Sequence, residues 1–507
     1  MAVRDHEAIA FNNLKGLWDR GDLDNVPLDH FTECNNIDFV GNNVVTRPGI
    51  ELSQDVVGPL QNILRVYNYP TQTANTLIIL VENDDGDGEI YHFVNATTIY
   101  GPLLTKTGMT DFAFVSYAGR GYISPFDTFI TGDLNIQKGL QNEYLYVYNG
   151  DGTAARQAAG VTPAGTLTIA NGAAGHTDAG FHIFGIVGET DSGFLSGIYA
   201  INTFTTVASN SVSFGTVPVL SGAQWTKRHL VATKVITTYN GDPTGYDFFF
   251  VPDAIINNNT DVFLNNISFF DADLLEDASH LLDNYTAIPA GANLSIYHER
   301  LCLGATYDDI SLVLVSAKGE PEAISQIDGL LIVPLDGNPI CNHWELRDVF
   351  YIMKRARTVA YVDNGQEPSS WEPTIIDNAL GTGVHGISTV LDTGAASVDF
   401  LIVATFAGLQ LFSGKYIVPE LTWKIEHLWK SYDRNDWRKI QIVNLPVQKK
   451  ILVVMPDGRV LVGNYANGMD PKNIRWYPWS WPMPINTVAV WNIDTVILGS
   501  PLYVPEA

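Results

Sequence analysis

Residues 77–94 read LIILVENDDGDGEIYHFV, and two structures compete for them. Asn83, Asp85 and Asp87 alternate and Gly88 follows, as at the start of an EF-hand calcium loop. That loop needs a bidentate acid at its twelfth position and a helix on either side. Counted from Asn83, the twelfth residue is Val94. The flanks TLIILV and EIYHFV are β-branched and aromatic, with no helical period. A β-hairpin accounts for every residue, because Asp-Gly supplies the positive φ of a tight turn between two strand-forming runs.

The same pattern recurs along the chain. EYLYVYNGDGTAARQA (143–158) is strand, Asn-Gly-Asp-Gly turn, strand. ILVVMPDGRVLVGNY (451–465) turns at Pro456-Asp457-Gly458, DFLIVATFAGLQLFSG (399–414) near Ala407-Gly408, and DFAFVSYAGRGYIS (111–124) near Gly119. These hairpins are irregular in length and residue identity, so they do not form a sequence repeat. Small antiparallel sheets spread over a long chain point to a radial arrangement that leaves only short edges exposed. The expected fold is mainly β, with a β-propeller-like domain; stacked β-sandwiches are the second architecture.

The texture changes between Thr162 and Asn284, where charge is sparse and Thr, Ser, Gly and Ala are frequent. Short strands are expected at TLTIA, GFHIFGIVGET, FTTVA and SVSFGTV, then at KRHLVATKVI and YDFFFVPD. Six or seven short strands with polar turns read as an inserted immunoglobulin/fibronectin-like β-sandwich, here without a cysteine pair. The expected division is therefore an N-terminal extension over 1–30 and a first part of the propeller over 31–160. The fibronectin III-like insertion follows over 161–284, and the rest of the propeller with C-terminal strands over 285–507.

A chain of 507 residues with 46% hydrophobic and 17% charged residues folds around a sizeable core. No run of about eighteen apolar residues occurs, so no helical membrane span is expected. The opening MAVRDHEAIAFNN lacks the basic and then apolar segments of a signal peptide. Cys34, Cys302 and Cys341 are far apart and form neither a metal-ligand spacing nor a disulfide framework, so buried free thiols in a reducing cytoplasm are expected. Helical period is confined to short stretches such as LTWKIEHLW (421–429), where Leu421, Ile425 and Leu428 share a face. The 29 Lys and Arg stand against 55 Asp and Glu, a formal net charge of −26. Proteins that grip nucleic acid by neutralising phosphate are basic, so this chain should repel it over most of its surface.

No phosphate-binding loop opens a helix. Ser192 in GETDSGF lacks the G-x-S-x-G frame of a nucleophile elbow. His298-Glu299-Arg300 is the most reactive-looking local group; it reads as the start of a strand whose Arg pairs with a carboxylate, with a catalytic base as the alternative. Asp271, Asp273, Glu276 and Asp277 either cap an N-terminal helical turn or supply the paired carboxylates of a glycosidase. KRAR (354–357) is too short for a nucleic-acid site and suits an interface or ion-pair role. IRWYPWSWPMP (474–484) cannot be a helix or a central strand, which leaves core or interface. No catalytic residue, metal ligand or cofactor is assigned, and channel-lining and interface residues stay unassigned.

HFTECNNIDFVGNNVVTRPGIEL (30–52), with its lead into Arg47-Pro48-Gly49, resembles the opening of virion proteins that close the neck or tail of tailed phages. GFHIFGIVGETDSGFLS resembles their inserted fibronectin-like module, and IYHERLCLGATYDDISLVLVSAKGEPEAI a blade that follows it. ELRDVFYIMKRARTVAYVDNGQEPSSWE and DFLIVATFAGLQLFSGKYIVPELTWKIEHLW continue the likeness, and MDPKNIRWYPWSWPMP resembles the closing strands. The chain is thus similar to the tail nozzle, hub or packaged-DNA stabilisation proteins of short-tailed bacteriophages. The resemblance implies a homo-hexameric ring below the portal and its adaptor, in the virion tail after assembly in the host cytoplasm. Such a ring extends the conduit for double-stranded DNA, retains the genome until ejection and docks tail fibres or spikes. It implies a structural protein with no enzymatic role. Two other functions stay open on the residues alone: a propeller carbohydrate-active enzyme and a receptor-binding adhesin.

Overall fold

The computed structural model describes residues 15–17, 30–31, 35–40, 43–46, 62–71, 74–95, 97–131, 134–159, 165–222, 224–282, 287–325, 329–334, 336–377, 380–382, 388–392, 398–405, 407–414, 417–418, 420–481, 483–491 and 496–500. Cys34 and Arg47-Pro48-Gly49 lie outside these residues, as does most of 1–30.

Six antiparallel sheets follow one another as blades. Blade 1 pairs Asn62–Pro70, Asn75–Glu82, Asp87–Asn95 and Thr98–Thr107 in that order. Blade 2 begins Asp111–Tyr117, Arg120–Thr131. Its third position is split between Leu134–Gly139 and Tyr146–Tyr148, which lie along one edge of Arg120–Thr131, and Arg156–Gln157 is outermost. Blade 3 runs Gly291–Tyr297, Arg300–Thr306, Leu312–Ala317, Glu320–Ile324, and blade 4 runs Ile340–Leu346, Val349–Lys354, Arg357–Tyr361, Thr374–Asp377. Blade 5 is Ser388–Asp392, Val398–Ala404, Leu409–Phe412, Ile417–Val418, and blade 6 is Gln441–Leu445, Lys450–Val454, Val460–Asn464, Arg475–Trp479. A last hairpin, Thr487–Val490 with Val496–Gly499, occupies a seventh sector.

The second strand of most blades reads as an unbroken apolar run, and the packing says why. Leu77, Ile79 and Val81 share a core with Ala489 of the last hairpin, whereas Ile78 and Leu80 share one with Phe112 and Ile123 of blade 2. Phe350 and Ile352 face blade 3, and Tyr351 and Met353 face blade 5. Leu401 and Val403 turn to blade 4, and Ile402 and Ala404 to blade 6. Ile451 and Val453 pack on blade 5, and Leu452 and Val454 on the last hairpin. Side chains alternate between the two faces of a strand, so a strand covered on both faces must be apolar at every position. These successive inter-blade cores close a ring, which makes the domain a β-propeller. Each buried Leu, Ile or Val contributes about 1.5–3 kcal/mol.

Polar contacts seal the ring where the last hairpin meets blades 1 and 6. The Val66 N–H donates to Thr487 Oγ1 at 3.0 Å and Asn486 Nδ2 to the Ile63 carbonyl at 3.1 Å. On the other side, Thr487 Oγ1 and the Val488 N–H donate to Gln441 Oε1 at 2.7 and 3.0 Å. The last hairpin is thus pinned to blades 1 and 6 together.

The quoted stretch is the hairpin. Glu82 pairs with Gly88, and Asn83 to Gly86 close a turn in which Asn83 Oδ1 accepts from the Asp85 and Asp87 N–H groups at 3.0 and 2.9 Å. Gly86 sits at φ +80, and an added Cβ there would meet no atom within 4 Å. Gly86→Ala should therefore show the backbone cost alone, about 1 kcal/mol; a urea midpoint for this variant equal to the wild type's would contradict the turn geometry.

His92 bridges blades 1 and 2. Its ring nitrogens lie 2.7 Å from Tyr148 Oη and 2.8 Å from Thr76 Oγ1, and burial lowers it to about 4. An imidazole held neutral in the folded protein takes up its proton in the unfolded chain from about pH 6.5 downward. Its stabilising contribution is full above that pH and is lost as pH falls towards 4. His92→Gln should remove on the order of 2 kcal/mol of this acid sensitivity. Urea unfolding at pH 7.5 and 4.5 measures it, and equal acid losses in variant and wild type would refute it.

Between blades 2 and 3 the chain builds a β-sandwich. One sheet pairs Thr168–Ala174, Asn210–Thr216 and Leu264–Ile267; the other pairs Tyr199–Thr206, Gly180–Thr190, Trp225–Thr233 and Phe248–Ile256. Phe184, Ile186, Val212, Phe214, Trp225 and Leu230 fill it, and the same apolar cluster continues into Leu301 and Leu303 of blade 3. The insertion is therefore seated by a shared core.

The segment 421–429 forms a short 3-10 turn, Trp423–Ile425, and the helix Glu426–Ser431; Leu421, Ile425 and Trp429 are buried between blades 5 and 6. Among the described residues no helix is long and apolar enough to cross a membrane.

Candidate functional site

The junction of sandwich and propeller is held by charge. The GETDSGF turn projects from the end of Gly180–Thr190 onto blades 2 and 3. Arg156, on the outer strand of blade 2, donates from Nη1 and Nη2 to the Glu322 carboxylate of blade 3, both at 2.9 Å. Its Nε donates to Asp191 Oδ1 of the insertion at 2.9 Å. Glu322 is 1% exposed, and it also accepts from the Ala159 N–H at 2.7 Å and from the Ser192 hydroxyl. Arg120 donates to the Asp191 carbonyl at 2.7 Å. Burial by itself would raise the Asp191 carboxyl, but hydrogen bonds from Arg156 and Asn149 outweigh it and hold the group below the ordinary carboxylate range. Ser192 is a structural donor in this network.

Basic residues elsewhere also point inward. Lys354, the first residue of KRAR, is fully buried: its Nζ donates to the Ile332 and Val333 carbonyls at 2.9 and 3.1 Å and to Asp336 Oδ1 at 2.6 Å. This is an ion-pair role tying blade 4 to blade 3. Arg228 is buried in the sandwich and donates to the carbonyls of Asn258, Val217, Pro218 and Asp261. Lys450 reaches Asp38 Oδ2 at 2.6 Å, and Arg65 pairs with Asp111 between blades 1 and 2. Among the described residues, Arg65, Arg228, Arg300, Lys354, Lys424, Lys450 and Arg475 are buried, against Asp38, Asp111 and Glu322. The exposed surface is thus more acidic than composition alone implies.

The sandwich carries much of that excess, with 12 Asp and Glu against 3 Lys and Arg between 161 and 284. Its acidic cluster is engaged with the backbone. Asp271 Oδ2 accepts from the Val235 N–H at 2.8 Å, Asp273 Oδ2 from the Phe270 N–H at 2.9 Å, and Asp277 Oδ1 from the Ser279 N–H at 2.9 Å. Ser279 holds the Asp277 carboxyl below its usual value. Asp271 and Asp273 belong to a single 3-10 turn, Asp271–Asp273, so these acids cap local structure. Phe263, Phe270 and Leu275 of the insertion are exposed, at 63%, 46% and 82%.

His298 and Glu299 form the turn between the first two strands of blade 3, both at positive φ, 45 and 63. Arg300 opens the following strand, with Nε 3.4 Å from Asp363 Oδ2 and Nη1 donating to the Ser316 carbonyl at 3.0 Å. Cys302 and Cys341 are buried free thiols, and burial pushes Cys341 up to about 11.

The aromatic run 474–484 belongs to the core at its start. Arg475–Trp479 is the outer strand of blade 6, where Pro478 needs no ladder donor. Trp476 and Tyr477 are fully buried, and Trp476 lies over Gly463, where a Cβ would come within 2.5 Å of the indole. The N-terminal part of the chain covers this strand. Leu17 N–H donates to the Trp476 carbonyl at 2.8 Å and Asn36 N–H to the Pro478 carbonyl at 3.0 Å. The hairpin Ile37–Val40 with Asn43–Thr46 sits beside it, with Trp479 Nε1 donating to the Ile37 carbonyl at 2.7 Å. Leu17, Asn36 and the Ile37–Val40 hairpin thus cover the outer strand of blade 6.

The Arg156–Glu322, Arg65–Asp111 and Asp38–Lys450 pairs were not visible in the sequence. Their partners stand 166, 46 and 412 residues apart, and no local motif marks any of them.

No protein-family model and no curated protein matches the chain. Among solved structures it is similar to apo AztD from Citrobacter koseri, at 12% identity over 87% of this chain and 90% of that one, with a TM-score of 0.33. It is also similar to Kluyveromyces lactis Hsv2, at 9% identity over 82% of this chain and 97% of that one, with a TM-score of 0.27. Likeness at this level carries no argument about function, and the propeller stands on the closed succession of sheets described above.

Proposed function

We propose that this chain is a tail nozzle or hub subunit of a short-tailed phage, a ring-forming structural protein that extends the DNA conduit below portal and adaptor. The observation that supports it is the placement of charge: among the described residues seven buried cations stand against three buried carboxylates, which adds to the acidity of a chain of net charge −26. DNA carries one charge per about 1.7 Å of axis. A row of exposed Lys and Arg along a conduit would sum to a brake, whereas like-charged walls, felt within a Debye length of about 8 Å, keep a duplex centred and mobile.

The lumen in this reading lies between subunits. The innermost strands of the blades carry only four charged residues among those described, Arg65, Asp111, Glu345 and Asp392, of which the first two neutralise each other. The duplex therefore follows the ring axis, outside any single propeller. Rings close through heterologous contacts, and the exposed Phe263, Phe270 and Leu275 of the sandwich are surface that such a contact, or a docked fibre or spike, would cover.

Two measurements test the proposal. Gel shift of a labelled duplex at 50 and 200 mM salt should show no retained complex at either. Light scattering should give a monomer for the isolated chain and a ring only when adaptor is added. Tight, salt-sensitive retention of duplex DNA would overturn the proposal.

A further inference from the structure

We infer that His298, Glu345 and Asp348 form a binding site for a divalent transition-metal cation, of the zinc or manganese class, clamping blade 3 to blade 4. Two hairpin turns bring them together. His298 is in the turn joining Gly291–Tyr297 to Arg300–Thr306, and Asp348 is in the equivalent turn joining Ile340–Leu346 to Val349–Lys354. Glu345 lies on the innermost strand of blade 4, close to that turn. One donor atom from each residue can be chosen so that all three lie within 4.8 Å of one another, and His298 Nε2 stands 3.6 Å from Asp348 Oδ1. Donors about 2 Å from a tetrahedral ion are about 3.3 Å apart, so the His298–Asp348 pair already stands close to coordinating separation, and the exposed Asp348 side chain can rotate to close the rest of the group.

The surroundings support a ligand role for the imidazole. Its other nitrogen, Nδ1, faces Asp363 Oδ2 at 4.0 Å, and that carboxylate is 9% exposed. Asp363 is fixed in turn: Arg300 Nε lies 3.4 Å from Oδ2, and the Asp363 N–H donates to Tyr297 Oη at 2.9 Å. A carboxylate behind the far nitrogen is the usual support of a metal-bound histidine. The imidazole also stacks on Tyr297, with ring centroids 4.3 Å apart and planes 18° apart, which limits its rotation. The half-buried Glu345 carboxylate accepts no hydrogen bond among the described residues, and the Asp348 carboxylate adds a second negative charge within the same group. Arg300 offsets the Asp363 charge, so the place for an added cation is between His298, Glu345 and Asp348.

The donor set selects the class of ion. One imidazole nitrogen with two carboxylates suits zinc or manganese, whereas magnesium and calcium prefer oxygen alone. Three protein donors leave the remaining positions to water.

The test uses the full chain after chelator treatment, titrated with zinc chloride by calorimetry and followed by thermal unfolding. One zinc per chain and a raised Tm are expected, with a smaller Tm rise for manganese and none for magnesium. His298→Asn and Glu345→Gln should each abolish the zinc effect while keeping the unloaded Tm. Asn tolerates the positive φ at 298, and Gln is isosteric at 345. Asp363→Asn should weaken binding about 10–100-fold without changing stoichiometry. A wild-type protein whose Tm ignores zinc would overturn the site, as would undiminished zinc binding by either His298→Asn or Glu345→Gln.

Discussion

Glu322→Ala is expected to destabilise the junction of sandwich and propeller by about 3–5 kcal/mol, the usual result of removing one partner from a buried ion pair. Arg156 would keep Asp191, which is a quarter exposed, as its one carboxylate partner among the described residues, and the Ala159 N–H would lose its acceptor inside the protein. The loss should be local. Amide hydrogen exchange should quicken in Gly180–Thr190 and Glu320–Ile324 and stay unchanged in Lys450–Val454. Replacing Arg156 and Glu322 together by Met should cost less than Glu322→Ala alone, because no buried charge is then stranded. Unchanged exchange in Glu322→Ala would show that the shared apolar core alone seats the insertion.

The second large effect is expected at the other end of the molecule. Asp38 is 4% exposed and accepts from Lys450 Nζ at 2.6 Å, from Tyr477 Oη at 2.6 Å and from the Phe39 N–H at 2.7 Å. Asp38→Ala strands three donors, one of them charged, and about 3–5 kcal/mol is expected again. Arg475, which stacks over Phe39 with its guanidinium 4.9 Å from the ring centroid, would lose that partner as the hairpin lifts. Limited proteolysis should then release the N-terminal segment, and exchange should rise in Arg475–Trp479, the strand it covers. A protease-resistant Asp38→Ala protein would contradict the role assigned to this pair.

What could be read from the sequence and what could not follow from the range of the interactions involved. Turn chemistry is local, so NDDG, PDG and the Ala118-Gly119 turn identify hairpins wherever they occur. Runs such as IILV and ILVV identify strands covered on both faces. The insertion was legible from its texture, yet its seventh strand, Leu264–Ile267, is four residues long and half polar, and carries no pattern of its own. Blade number was hidden for two physical reasons: blade 2 divides its third strand, and the seventh sector is a two-stranded hairpin. The 474–484 run left core and interface open because its prolines exclude only central strands, and an outer strand satisfies them. Inter-blade ion pairs join residues that only the closed ring brings together, so composition shows the charges and not their partners. His298 stood out in the sequence, but Glu345, Asp348 and Asp363 did not; their approach depends on how the blade 3 and blade 4 hairpins align.

The proposed function requires an acidic annulus that lets a duplex pass without gripping it. Electron cryomicroscopy of the particle that carries this chain tests that most directly. The expected result is six copies closed around the central axis below the portal, with sandwiches at subunit contacts or facing outward and duplex density in the lumen. Density for the chain confined to the periphery of the particle, away from that axis, would contradict it.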